Sequence, residues 1–70
     1  MKYAIVIEKA KNNYCAYVPD LPGCVATGDS VEAVKREICD AMEFHIEGLR
    51  EDGLPVPLPS STVVYVDVAA

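Results

Sequence analysis

The sequence predicts an α+β domain of element order β-β-β-α-β: a mixed four-stranded sheet of order 3-2-1-4 with one helix on one face. Three observations predict it. Residues 2–8 place Tyr3, Ile5 and Ile7 on one side and Lys2, Ala4, Val6 and Glu8 on the other, the period-two pattern of a strand. Residues 31–49 repeat apolar side chains at steps of three and four, the period of a helix. Residues 62–68 (TVVYVDV) are β-branched and apolar on both faces. The 70 residues leave room for a single domain, 1–70. A composition of 51% hydrophobic and 24% charged residues is that of a globular chain rather than a disordered one.

After the first strand, residues 9–13 (KAKNN) form a polar turn, since Asn tolerates the left-handed backbone region that hairpins use. Residues 14–18 return as the second strand. Pro19 and Pro22 lack N–H groups and Gly23 favours a positive φ, so the ladder stops there, and residues 24–27 make a short third strand ending at Gly28. Asp29 and Glu32 have the spacing of a capping box, Ser30 is a rival N-cap, and Gly53 supplies the stop. Val31, Val34, Ile38, Ala41, Met42, His45 and Leu49 form the helix's apolar stripe, with Ile46 and Phe44 off it. Residues 54–59 alternate proline with aliphatic residues and read as a stiff, extended connector. Three meandering strands followed by a right-handed helical crossover place the last strand beside the first and parallel to it.

One helix about 10 Å across covers little of a sheet about 19 Å wide. The open face and the last strand's edge therefore predict a homo-oligomer, with Val6, Val64, Tyr65 and Val66 as candidate interface residues.

The chemistry is mostly one of exclusion. Cys15, Cys24 and Cys39 are odd in number and lack a C-x-x-C, so they form neither a disulfide framework nor a zinc knuckle and read as free structural thiols. No nucleotide loop or metalloprotease motif is present, and no cofactor is expected. The sole histidine, His45, reads as a core imidazole hydrogen-bonded to backbone; a nuclease built on Asp20, Asp67 and His45 is disfavoured because these do not converge on adjacent strand ends. No signal peptide or membrane span is expected, which points to the cytoplasm.

Charge is the informative feature. The net charge is −5, and all of that excess lies in residues 29–52, where Asp29, Glu32, Glu37, Asp40, Glu43, Glu47, Glu51 and Asp52 face only Lys35, Arg36 and Arg50. Such a segment repels phosphate and attracts a basic partner, although an acidic helix kept for solubility accounts for the same pattern.

Three stretches in register, residues 14–24 (YCAYVPDLPGC), 27–32 (TGDSVE) and 41–59 (AMEFHIEGLREDGLPVPLP), resemble the HicB antitoxin family. The resemblance implies a partial RNase H-like domain. It also implies a non-enzymatic role: binding a small basic HicA-like toxin, which cleaves mRNA with a histidine, and occluding its active site. The candidate contacts are then Tyr14, Tyr17, Asp20 and Leu21 in the first stretch and Asp40, Glu43, Phe44 and Glu47 on the helix. Many family members add a C-terminal DNA-binding segment, and none is evident up to Ala70, so direct DNA binding is disfavoured. The alternative reading is a stand-alone homo-oligomeric binding module without a toxin.

Overall fold

The computed structural model describes residues 1–69. It is an α+β arrangement of three antiparallel strands and one helix: β1 (Val6–Lys9), β2 (Tyr14–Tyr17), β3 (Val25–Gly28) and α1 (Val31–Glu51). The sheet order is β1-β2-β3, with Val6 opposite Tyr17 and Tyr17 opposite Val25.

β1 is shorter than the expected residues 2–8. The register ends at Val6 opposite Tyr17, and Pro19, the next residue of the returning chain to face β1, has no N–H to continue the ladder. The hairpin loop closes with the Ala10 N–H donating to the Asn13 carbonyl at 2.8 Å, and neither Asn12 nor Asn13 takes the left-handed conformation.

The loop between β2 and β3 is two successive β-turns. Leu21 N–H donates to the Val18 carbonyl and Cys24 N–H to the Leu21 carbonyl, each at 3.1 Å. Pro19 and Pro22 each occupy the second turn position, where a fixed φ is favourable, and Gly23 takes φ +85° in the second turn. Leu21 is the pivot, and its side chain is driven fully into the core.

Ser30, not Asp29, caps α1: its Oγ accepts the Ala33 N–H at 3.0 Å. The helix ends in a Schellman motif, with Gly53 at φ +69° and the Leu54 N–H donating to the Leu49 carbonyl at 2.8 Å. Val34 and Ile38 are its buried anchors. They pack with Ala16, Val18, Leu21 and Cys24 into a core flanked by Tyr3, Ile5, Ile7, Tyr14, Ala26, Met42 and Ile46. Ile46 thus belongs to the apolar face after all, whereas Val31 is exposed and His45 is half-buried outside the core. Gly28 lets α1 sit close to β3, since a Cβ there would lie 2.6 Å from the Val34 nitrogen.

The expected fourth strand is the main correction. Among the described residues, 62–68 pair with no strand and all are exposed. A strand exists only by virtue of a ladder partner, and this segment has none among the described residues. The Tyr3 hydroxyl donates to the Pro57 carbonyl at 2.6 Å, and Asp20 binds Ser60 and Ser61 beyond it.

Candidate functional site: an acidic helix ridge

The 3.6-residue period brings Asp40, Glu43, Phe44 and Glu47 together on the side of α1 turned away from the sheet, and all four are exposed. Glu37 and Glu51 extend the same ridge, and Arg36 and Arg50 are bases that share it. Phe44 is 79% exposed amid these carboxylates. An aromatic ring standing in a field of negative charge suits a partner that offers basic side chains and an apolar pocket.

The other expected contacts lie elsewhere. Tyr17 is 41% exposed and points to the open sheet face, in a row with Val6 and Val25. Tyr14 alternates to the helix side and packs against the core. Leu21, expected as a contact, is 0% exposed and is a core residue, because the two turns around it point its side chain inward. The structure therefore separates the two proposed contact regions by the thickness of the sheet and helix.

Asp20 is engaged within the chain. Its Oδ2 accepts the Ser60 and Ser61 N–H groups at 2.8 and 2.9 Å, and its Oδ1 accepts their hydroxyls at 3.0 and 2.8 Å. The two backbone donors, aided by the hydroxyls, favour the charged form and lower the carboxyl from 3.8 to about 2. Nothing local in the sequence signals this pairing, since the partners lie 40 and 41 residues away.

Burial pushes the Cys24 thiol up, which makes it a poor nucleophile. Among the described residues no three His, Cys, Asp or Glu side chains are grouped to hold a metal, and no helix is long and apolar enough to cross a membrane. Between the N-terminal residues and α1, Met1, Tyr3, Cys39, Met42, Glu43 and Ile46 line an open concavity of about 270 Å³.

Three antiparallel strands backed by one acidic helix make up the described domain. The family comparison is specific: residues 3–69 match the HicB-like antitoxin of bacterial toxin–antitoxin systems, and the chain belongs to that family. It is 41% identical over 65 residues to a UPF0150 protein of Helicobacter pylori strain J99, covering 91% of this chain and 90% of that one. It is 37% identical over 67 residues to an uncharacterized 14.9 kDa protein of the rep-hol intergenic region of Haemophilus phage HP1, covering 96% of this chain but spanning only 50% of the phage protein. Among solved structures it is similar to a chain of a HicA3 and HicB3 toxin–antitoxin complex, with a TM-score of 0.74, 32% identity, and coverage of 84% of this chain and 70% of that one.

Proposed function

We propose that this chain is a non-enzymatic antitoxin that neutralises a small basic HicA-like toxin in the cytoplasm by laying the ridge of α1 over the toxin's RNA-cleaving surface. The observation that carries the reading is the confinement of the whole −5 charge to residues 29–52, with Asp40, Glu43, Phe44 and Glu47 exposed together. A surface that binds RNA is basic, and carboxylates compete with phosphate for the same Lys and Arg side chains. Complementary charge also accelerates encounter, which suits an inhibitor that must capture a toxic nuclease early. Family membership and the likeness to a chain of a toxin–antitoxin complex support the same partner class. Phe44 supplies the apolar anchor that charge alone does not, because rim charges steer association while a desolvated aromatic slows dissociation.

The test is co-expression with any small basic protein encoded next to this chain, followed by titration of the purified pair. The expected result is relief of toxicity, a stable complex, and an association rate that falls steeply with salt. Charge reversal at Asp40, Glu43 and Glu47 together should weaken binding by at least about tenfold, which is about 1.4 kcal/mol. Unchanged affinity in that triple variant would remove the helix from the interface and leave the open face around Tyr17 as the docking surface.

A further inference from the structure

We infer that the outward ridge of α1 is a surrogate for a short single strand of RNA, in which Phe44 takes the place of a nucleobase and the carboxylates on either side of it take the places of phosphates. This rests on the proposed toxin binding and specifies how the toxin is blocked: Phe44 enters the slot in which the toxin stacks a base of its substrate.

The spacing carries the inference. Glu37, Asp40, Phe44, Glu47 and Glu51 follow one another at steps of three, four, three and four, which draws them into a single stripe along the helix. All five are exposed. At about 1.5 Å of rise per residue, Asp40 and Glu47 stand about 6 and 4.5 Å from Phe44 along the axis, and Glu37 and Glu51 about 10.5 Å from it. The ring is the midpoint of the stripe, with two negative charges on each side. By the same helical spacing, Arg36 and Arg50 fall to the side of the stripe where Glu43 lies, so no positive charge interrupts it.

A nucleic-acid strand likewise repeats negative charge at intervals of a few ångströms and carries aromatic rings beside it. Proteins that bind unpaired RNA meet it with a cationic groove and a platform on which a base stacks. The stripe offers such a groove both of the features it is shaped to hold.

The ring has no part in the fold. Phe44 is the sole phenylalanine and is 79% exposed, while the helix contributes Val34 and Ile38 to the buried core from its other side. A ridge serving solubility, or attraction alone, has no use for a ring among its carboxylates. The stripe is also rigid. The Ser30 cap and the Leu54 N–H to Leu49 carbonyl bond close the two ends of α1, so the surrogate binds without the ordering cost that a flexible RNA strand meets.

The experiment is competition for the basic partner of the co-expression test, purified with alanine in place of its cleaving histidine so that RNA survives. The probe is a fluorescein-labelled single-stranded oligoribonucleotide of about eight nucleotides, read by anisotropy. The full chain should displace it, and the concentration for half displacement should rise in proportion to the RNA present. Phe44→Tyr and Phe44→Trp should stay within about threefold of the parent, whereas Phe44→Leu, apolar but without a stacking face, should weaken displacement by at least about tenfold. Circular dichroism of all three should match the parent, because the ring is exposed. RNA that stays bound in a ternary complex would overturn the inference, as would a Phe44→Leu chain that displaces RNA as well as the parent. Both outcomes need a complex and so leave the toxin-binding reading standing; the absence of any complex would overturn the two together.

Discussion

The carboxylate of Asp20 accepts the backbone N–H of Ser60 at 2.8 Å, joining the turn after β2 to a segment 40 residues further along the chain. Together with Ser61 it forms the tether that decides where the C-terminal segment leaves the domain. Because the bonds favour the ionised carboxylate, the tether is linked to pH. The folded carboxyl titrates at about 2 against an ordinary 3.8, so its contribution is complete above the ordinary value, declines as pH falls below it, and is lost through the folded value. Backbone relaxation of residues 60–66 should therefore show an ordered root at about pH 5 and a released one near pH 2. Asp20→Ala should release it at neutral pH while the amides of α1 keep their protection.

Two glycines make opposite predictions. Gly28 has no room for a Cβ beside the backbone of Val34, so Gly28→Ala must push α1 off β3. A cost of about 1–3 kcal/mol is expected in urea unfolding. Gly48 lies within α1 with nothing within 4 Å of a Cβ, and Gly48→Ala should stabilise by about 0.5–1 kcal/mol through the helix propensity of alanine.

Ile38 is fully buried under the sheet. Ile38→Ala should cost about 2–5 kcal/mol, a large share of the roughly 4–10 kcal/mol available to a chain of this size. Circular dichroism during urea titration should show the midpoint fall accordingly.

Phe44 separates binding from stability. Its side chain rests on no core residue and is 79% exposed, so Phe44→Ala should leave unfolding within about 0.5 kcal/mol of the parent. Calorimetric titration with the toxin should show a loss of about 2 kcal/mol if the ring seats in a pocket of the partner.

Much of the fold was legible in local pattern. The helix from Val31 to Glu51 follows from its apolar period and from Gly53, and the three short strands follow from alternation bounded by Asn, Pro and Gly. The ridge of Asp40, Glu43, Phe44 and Glu47 was legible too, since helical spacing alone places these residues on one face. Leu21 was not: its neighbours Pro22 and Gly23 mark a loop, and only the pair of turns that rotates its side chain inward makes it core. Ser30 displaced Asp29 as the cap because the choice between adjacent capping residues depends on where the chain leaves β3.

By itself, then, the sequence determined the elements whose geometry is local, a helix satisfying its own hydrogen bonds and strands closed by short turns, and it determined the charge carried on the helix. The tertiary structure decided the fate of residues 62–68 and of Asp20. A strand is completed by a partner that its own sequence does not contain, and a carboxylate is committed to whichever donors the rest of the fold brings within 3 Å.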